Sequence, residues 1–573
     1  MTQTHPSGEP FGPVPTSVPA TAHADLGDLP GVPATQIELP ADKAANETLE
    51  DYTLRFAPPS YRRWSTGVAA TSAVGGIAYL ADFAIGANIG IPHGTTNALW
   101  GVAITAVIIF VTGFPLAYYA ARYNDLDLIT RGSGFGYYGS VLTNVTSATF
   151  TFIFFALEGS IMAQGLKLGL GIPLWIGYAA STLIIFPLVI YGMKVLSTLQ
   201  VWTTPLWLVL MVAPFVYLVV SHPESVGQFF AYNGKDDIQG FDLGSTLLAA
   251  GVCLSLIAQI AEQNDYLRFM PPKTPENKRS WWTWMFLAGP GWVIFGAIKQ
   301  IVGLFLAVYL IANVAESAGI ANQPVHQFLE IYQNFLPPWL AMTLAVVLVV
   351  ISQIKINVTN AYSGSLAWTN SFTRVTKTYP GRLVFLGFNL LIALILMEAN
   401  MFDFLNTILG FYANCGMAWV VVVASDIVFN KFLLKLSPMQ PEFRRGMLYN
   451  FNPVGFGSML IAAGVSVLAF FGGLGEAIRP YSPLVAIGLA LVLPPIFAIA
   501  TKGKYYLRRT DDGIDLPMYD EYGNPSDAHL KCHVCHHDYE RPDMMASTKE
   551  DSYICSLCLS TDKTGEFVLP AQK

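Results

Sequence analysis

The sequence has few charged residues and little that marks a soluble protein. Only 12% of its 573 residues are Asp, Glu, Lys or Arg, whereas 53% are hydrophobic, and the mean hydropathy is +0.45. Soluble domains carry about 25% charged residues, so this composition excludes an ordinary soluble protein and predicts a polytopic protein in a lipid bilayer. The 49 glycines and 36 prolines agree, because both residues are more frequent in membrane helices than in soluble ones.

Several functional signatures are also missing. The sequence has no nucleophile–base constellation, no P-loop and no GxSxG motif, so we do not expect an enzyme. Its net charge is −7 and it lacks a basic stripe, which argues against nucleic-acid binding. Residues 1–45 lack the apolar core of a cleavable signal peptide. Residues 1–48 have few large apolar residues and are predicted to form a disordered cytoplasmic tail.

Apolar segments of about 20 residues, long enough to cross a bilayer, are abundant. We place twelve spans at 66–90, 97–121, 147–170, 174–193, 202–221, 243–268, 283–312, 338–358, 381–397, 403–426, 453–472 and 482–500. With the N-terminus inside, the outer loops carry only Lys167, Lys235 and Arg479, and the cytoplasmic loops carry the other loop cations. This asymmetry predicts a multi-pass protein of the cell (inner) membrane with both termini cytoplasmic.

Two spans, the first and the sixth, have sequences that predict an interruption. The first contains Gly75, Gly76 and Gly86, and the sixth contains Gly251 followed by the polar run 259–265. Interrupted spans at corresponding positions of two five-helix halves are typical of inverted-repeat transporters, whose half-helix ends face substrate and ion. Glycines that only permit close helix packing are the alternative. We favour interruption because the two positions correspond.

The third span carries an acid inside an apolar helix, within residues 151–164. Helical spacing puts Phe154, Glu158 and Ile161 on one face. An ionisable group inside a membrane costs about 2.5–3.5 kcal/mol on insertion scales and usually faces a cavity. An aromatic ring one turn above an acid could stack a flat ring and bind its NH groups. A packing helix with a protonated or paired Glu158 is the alternative.

The eighth span continues into a polar run over residues 352–365, which is unlikely to face lipid. Helical spacing divides this run into two faces, one with Lys355, Thr359 and Tyr362 and the other with Asn357, Asn360 and Gly364. Charged residues fall within other spans as well: Asp82, Glu158, Glu262, Lys299 and Asp403.

Taken in order, these segments resemble the nucleobase–cation symporter family, in its purine–cytosine permease and hydantoin permease-like branch. The resemblance covers about residues 46–500 and is carried by the segments 49–55, 61–65, 131–140, 154–164, 261–271 and 357–365. It implies an all-α polytopic fold with a 5+5 inverted repeat, broken helices 1 and 6, and two extra helices. It also implies a symporter that imports a nucleobase, hydantoin or related planar heterocycle, held between helices 1, 3, 6 and 8.

The implied domain organisation follows the twelve spans. It comprises the tail 1–48, a transporter domain 49–505 with repeats over about 66–221 and 243–426 and extra helices over 453–500, and a cytoplasmic tail 506–573.

The resemblance also implies a set of substrate-binding residues. Phe154 and Glu158 match an aromatic residue and, four positions on, a glutamine of the hydantoin-transporting relatives, so glutamine has become glutamate here. A carboxylate only accepts hydrogen bonds, so Glu158 favours a ligand with NH donors. Asn360 matches an asparagine of helix 8, and Gly76 falls near a glutamine of helix 1. Gln259, in the polar run of the sixth span, completes the predicted set.

The sequence departs from the family pattern at two places. A helix-6 tryptophan falls near Leu256 or Ile257, so the second stacking platform is absent. The relatives bind sodium partly through helix-8 hydroxyls, and here one of those positions holds Lys355. A lysine would occupy the place of the cation, so we expect coupling to protons rather than sodium, or no coupling ion. Lys355 would act as a surrogate cation, with Asp82 or Glu158 as its ion-coupling partner. A structural Lys355 paired with a carbonyl or carboxylate is the alternative.

The C-terminal tail carries two CxxC pairs, Cys532–Cys535 and Cys555–Cys558. Their spacing predicts a structural Zn²⁺ bound by four thiolates in a module over residues 529–560. A rubredoxin-like iron site lacks its usual glycines, and the cytoplasmic side argues against disulfides. Nearby histidines could replace a thiolate: His529, His533, His536 and His537. The tail could gate transport, bind a cytoplasmic partner or sense metal.

The leading prediction is therefore a secondary transporter that works by alternating access. The alternative is a membrane sensor or receptor that uses the same ligand pocket and signals through the zinc-binding tail. Saturable uptake by intact cells separates the two, because a sensor binds its ligand without accumulating it.

Overall fold

The structure is a computed structural model that describes residues 53–57, 65–123, 126–314, 319–526, 528–549 and 551–571. The predicted disordered tail, residues 1–48, lies outside the described residues, as does most of the resemblance-bearing stretch before residue 65. Four side chains within helices also lie outside them, those of residues 193, 194, 402 and 403, and Asp403 is one of these.

The described part of residues 66–501 folds into α-helices connected by turns, loops and short 3-10 and π-helical segments. The helices are α1 (Thr66–Gly76), α2 (Ala81–Arg122), α3 (Leu126–Thr130), α4 (Val141–Leu170), α5 (Leu174–Ile190), α6 (Met193–Ser221), α7 (Glu224–Ala231), α8 (Leu243–Cys253), α9 (Gln259–Leu267), α10 (Lys278–Ala288), α11 (Trp292–Asn313), α12 (Pro324–Gln333), α13 (Pro338–Thr376), α14 (Arg382–Glu398), α15 (Leu405–Ser425), α16 (Ser458–Phe470) and α17 (Ser482–Thr501).

Length and hydropathy show that these helices belong in a membrane. Among the described residues, nine helical segments are long and apolar enough to cross a bilayer, and α5 is a shorter apolar helix. The chain is therefore an integral membrane protein of the all-α class. The count of twelve spans stays a prediction.

Both predicted interruptions are present. The first span is divided because α1 ends at Gly76 and α2 begins at Ala81, with residues 77–80 outside any helix. The sixth span is divided by a 3-10 segment, Leu254–Ala258, between α8 and α9. The polar run that begins at Gln259 therefore follows the interruption and opens a new helix.

Glycines bring α2 and α11 into backbone contact. A Cβ atom on Gly86 would lie 1.9 Å from the Gln300 carbonyl oxygen, and one on Gly303 would lie 2.3 Å from the Phe83 Cα. Membrane helices use such small residues to approach closely. The contact brings residues 299 and 300 of α11 within reach of the first turn of α2.

The tail contains two small antiparallel sheets and a short helix. The strands are β1 (His529–Lys531) paired with β2 (Asp538–Glu540), and β3 (Met544–Ala546) paired with β4 (Tyr553–Cys555), followed by α18 (Ser556–Thr561). Their buried side chains pack with Leu54, Tyr379 and Met447 of the membrane domain. We call this end of the membrane domain the tail face; it is formed by residues 53–57, 377–381 and 434–452.

Candidate functional site

The break between α1 and α2 is filled by a lysine from α11. The last carbonyls of a helix need donors from elsewhere. The Lys299 ammonium donates to the Ile77 carbonyl at 2.6 Å and to the Tyr79 carbonyl at 3.1 Å. Lys299 Nζ also lies 3.7 Å from the centroid of the Tyr79 ring. A positive charge therefore binds the nonhelical backbone of the first span.

Asp82, in the first turn of α2, completes the surroundings of this lysine. Its Oδ2 lies 2.9 Å from Lys299 Nζ, and the exposed fractions of the two side chains are 0% and 4%. Its Oδ1 accepts a hydrogen bond from Gln300 Nε2 at 2.8 Å. A buried charge is tolerated when it is paired and hydrogen-bonded, as both charges are here.

Glu158 lies in the middle of α4 and is fully buried. Neither of its carboxylate oxygens makes a well-formed hydrogen bond, and the donors directed toward it are the Ala81 N–H and the Gln353 side chain. Lys299 and Asp82 are its charged neighbours. Most buried polar groups in proteins have a hydrogen-bond partner. The Glu158 oxygens are an exception, so they are available to accept hydrogen bonds from a bound molecule.

The face of α13 that packs on α4 carries three amides. Asn357 Nδ2 donates to the Phe155 carbonyl at 3.4 Å, and Asn357 Oδ1 accepts from Asn360 Nδ2 at 3.1 Å. Gln353, one turn earlier, is fully buried, and neither of its amide atoms makes a well-formed hydrogen bond. The Asn360 Oδ1 atom is likewise unpartnered. This face therefore offers both donors and acceptors beside Glu158.

The opposite face of α13 packs on α6. Lys355 Nζ donates to the Gln200 carbonyl at 2.9 Å and to the hydroxyls of Thr203 and Thr204 at 3.0 and 2.9 Å. The Gln200 side chain returns a hydrogen bond to the Lys355 carbonyl at 2.6 Å. Lys355 therefore ties α13 to α6 through neutral oxygens.

The expected pairing of Lys355 with Glu158 or Asp82 is therefore wrong. Position 355 is two residues, or about 200° around the helix, from positions 353 and 357 on the Glu158 side. The partner of Asp82 is instead Lys299, a lysine that the sequence shows only as a charge within a span.

Gly76 is the last residue of α1 and lies close to two hydroxyl side chains. A Cβ atom at this position would lie 3.4 Å from Thr359 Oγ1 and 3.7 Å from a ring carbon of Tyr266. The hydroxyls of Tyr266 and Thr359 are 2.8 Å apart. Gly76 therefore belongs to the Lys355 side of α13, away from Asn360.

Gln259, the first residue of α9, reaches the site through a neighbouring acid. Its Nε2 donates to Glu262 Oε2 at 2.6 Å. The Glu262 Oε1 atom is buried without a partner, and Glu158 is one of the charged neighbours of Glu262. The structure thus adds Glu262 and Gln353 to the acids and amides that the sequence selects.

Phe154 is 2% exposed and lies in a row of aromatic rings. Its ring centroid lies 4.4 Å from that of Phe150, which lies 5.9 Å from that of Tyr412 on α15. The row fixes the Phe154 side chain one turn from Glu158. Leu256 and Ile257, where the resemblance implied a tryptophan, lie in the 3-10 segment that interrupts the sixth span.

Two hydrogen bonds join α13 to the end of α9 on the tail-face side of Asn360. Beyond Asn360, α13 is joined to α9 by Arg268 Nη2, which donates to the Tyr362 hydroxyl at 2.7 Å, and by a short hydrogen bond from Ser363 to Asp265. Toward the opposite face lies a cavity of about 210 Å³. It is lined by residues of α2, α8, α15 and the segment before α17, among them His93, Leu247, Thr407 and Arg479.

The tail holds four thiols in an arrangement that fits a metal. The Sγ atoms of Cys532, Cys535, Cys555 and Cys558 all lie within 4.8 Å of one another. A tetrahedral Zn²⁺ with bonds of about 2.3 Å needs sulfurs roughly 3.8 Å apart, and Cys535 and Cys555 are separated by 4.0 Å. The four nearby histidines are not part of this group. Four cysteines that could bind a metal thus converge as predicted.

The tail is bound to the tail face by charged groups. The Arg444 guanidinium lies 2.6 Å from Asp512, and Arg445 donates to the Leu559 carbonyl at 2.9 Å. The Phe56 N–H donates to Asp543 at 2.8 Å. Burial raises the pKa of Asp543 to about 7. The nearby Arg55 guanidinium opposes this rise in pKa, because it favours the ionised carboxylate.

The fold is similar to that of known transporters. Mhp1, a nucleobase-cation-symport-1 family transporter, in a closed conformation with bromovinylhydantoin bound, matches 81% of this chain and 96% of its own at 16% identity and a TM-score of 0.59. Its inward-facing conformation matches 82% and 94%, at 16% identity and a TM-score of 0.57. A Na⁺-coupled sialic acid symporter, substrate-bound and outward-open, matches 80% and 94%, at 11% identity and a TM-score of 0.54. No family profile and no curated protein matches the sequence.

These similarities confirm the predicted fold class, an inverted-repeat transporter fold with broken helices 1 and 6. They also confirm, at the level of the fold, the resemblance to the nucleobase–cation symporters. At 11–16% identity, these similarities concern the fold alone.

Proposed function

We propose that this protein is a secondary active transporter that imports a planar nitrogenous heterocycle by alternating access. The observation that carries the proposal is the group of buried polar atoms on Glu158, Gln353 and Asn360 that make no well-formed hydrogen bond. They lie next to the two interrupted spans, where inverted-repeat transporters bind their substrates. The transporter fold supports the mechanism.

The chemistry of these groups favours a ring with NH groups. The Glu158 carboxylate accepts hydrogen bonds, while the amides of Gln353 and Asn360 both donate and accept. A nucleobase or a cyclic ureide presents N–H donors and carbonyl acceptors along one edge of a flat ring. Phe154 supplies an aromatic surface one turn from Glu158 on the same helix. We infer a ligand whose ring edge binds Glu158 and the amides.

We propose that transport is coupled to protons or proceeds without a coupling ion. The main support is charge: Lys299 and Lys355 already supply ammonium groups within the membrane domain. Glu158 and Asp82 are the acids through which a proton would couple to this site. A sodium ion would have to bind close to the fixed positive charge of Lys299, which opposes it.

Two measurements test the proposed transport. Purified protein is expected to melt at a higher temperature in the presence of one or more nucleobases or cyclic ureides, because a ligand that binds only the folded state stabilises it. The ligand found in this way is expected to enter proteoliposomes saturably, and a sodium gradient at fixed pH is expected not to change its uptake. Binding without uptake would contradict a transporter, and stimulation by sodium would contradict proton coupling.

We also propose that the four tail cysteines bind one structural Zn²⁺ and that the tail lies on the cytoplasmic side. Four thiolates leave no open position for catalysis, and a module this small needs metal to fold. Elemental analysis of the purified chain is expected to find one zinc per molecule. Cys555→Ser is expected to remove it, whereas Cys415→Ser, on α15, is the matched control and should retain it. Full zinc content in Cys555→Ser would contradict the assignment.

A further inference from the structure

The interrupted first span contains a set of oxygen atoms of the kind that bind a monovalent cation. They are Asp82 Oδ2 and the carbonyl oxygens of Ile77 and Tyr79, at 2.9, 2.6 and 3.1 Å from Lys299 Nζ. One is anionic and two are nonhelical backbone carbonyls. An ammonium group has three donors and no acceptor. Here it donates to the two carbonyl oxygens, while Asp82 Oδ2 lies at ion-pair distance without a well-formed hydrogen bond. The lysine is 3% exposed, so water does not compete for these oxygens.

We propose that the Lys299 ammonium is a tethered cation that permanently occupies a monovalent-cation site, and that removal of this side chain converts the site into one that binds a free alkali cation. The inference deepens the proposed transport function, because it assigns the positive charge that neutralises Asp82 and the carbonyls of the break. It rests on that function only for its last experiment. In transporters with broken helices, unwound carbonyls and half-helix ends coordinate the coupling ion. In this protein the same kinds of oxygen atom surround the ammonium group of Lys299.

The packing of α2 on α11 explains how the cation is held. Gly86 and Gly303 bring the two backbones into contact, which fixes the distance from the base of Lys299 to the break. Gln300 holds the second oxygen of Asp82 at 2.8 Å, so the carboxylate cannot rotate away from the ammonium. The tether therefore keeps the cation at the site through the whole transport cycle, whereas a dissolved ion would leave.

Lys355 does not serve this purpose. Its ammonium binds a carbonyl and two hydroxyls between α13 and α6, and none of these belongs to the break. The two lysines have separate roles, since of the two it is Lys299 that contacts both a carboxylate and nonhelical carbonyls.

Lys299→Ser is the variant that tests the proposal, because it removes the charge and leaves room for an ion while Asp82 and the carbonyls stay. The full-length variant and the wild type are purified and melted in NaCl, KCl or choline chloride at equal ionic strength. The wild type is expected to melt at the same temperature in all three salts. The variant is expected to melt at least about 3 °C higher in NaCl or KCl than in choline chloride, the size of shift that one bound ligand gives.

Two further variants make each outcome decisive. Asp82→Asn/Lys299→Ser removes the anionic ligand and is expected to abolish the response to alkali cations. If Lys299→Ser can be purified only when Na⁺ or K⁺ is present, the proposal is supported. Failure in every salt, equal melting in alkali and choline salts, or a specific response of the wild type to Na⁺ each overturns it.

The last experiment uses the substrate that the ligand screen identifies. Uptake by the wild type is expected to be unchanged when choline replaces Na⁺ and K⁺ at fixed pH, whereas uptake by Lys299→Ser is expected to fall at least tenfold in choline. An absence of uptake by the wild type contradicts the proposed transport but leaves the melting results intact, so the two failures are distinguishable.

Discussion

Glu158→Gln is expected to weaken binding of the heterocycle by about 10- to 100-fold, because a hydrogen bond to a charged group contributes about 1.5–3 kcal/mol. Glutamine keeps the shape of the side chain and one acceptor oxygen, but it loses the negative charge. Glu158→Ala removes both and is expected to weaken binding further. The dissociation constant is measured on the purified protein with the ligand found by thermal shift.

A matched control for Glu158 lies at the end of α14. Glu398 is exposed, so Glu398→Gln changes the net charge equally and should bind the ligand as the wild type does. Equal affinity of the wild type and Glu158→Gln for every ligand that stabilises the protein would remove Glu158 from the site.

Asp82→Asn is expected to destabilise the protein by about 3–5 kcal/mol, the usual effect of removing one partner of a buried ion pair. The reason is that Lys299 would remain buried beside the break with two carbonyls but without the carboxylate that contacts it. Asp82→Asn/Lys299→Met removes both charges, so we expect the double variant to recover most of the lost stability. Thermal unfolding of the four proteins of this cycle in one buffer measures the coupling between the two side chains.

An exposed ion pair provides the comparison for that cycle. Arg479 and Glu476 lie 3.6 Å apart, and their side chains are 53% and 79% exposed. Exposed pairs contribute about 0–1 kcal/mol, so Glu476→Gln should leave the melting temperature almost unchanged. A loss in Asp82→Asn that is no larger than the loss in Glu476→Gln would show that the buried pair does not stabilise the break.

The sequence was sufficient to predict an all-α membrane fold, both interruptions and the convergence of the four tail cysteines. Each of these depends on local patterns: apolar length, glycine position and the spacing of cysteines. Helical periodicity also divided α13 into its two faces correctly. Local patterns could not show that Lys299 contacts Asp82 and the break between α1 and α2. Lys299 is 222 positions from Ile77 of the break, and the packing of α2 on α11 brings them together. Gly86 and Gly303 are the sequence signal for this close packing. The sequence does not show that Gly86 lies against Gln300 and Gly303 against Phe83.

The contact between Phe56 and Asp543 has a consequence for how the protein is made. The two residues are 487 positions apart in the chain. At about 5–20 residues per second of synthesis, the second partner emerges roughly 25–100 s after the first. The segment 53–57 therefore cannot take its final place until α17 and most of the tail have left the ribosome. A chain that terminates before residue 543 lacks this attachment for the segment that precedes α1.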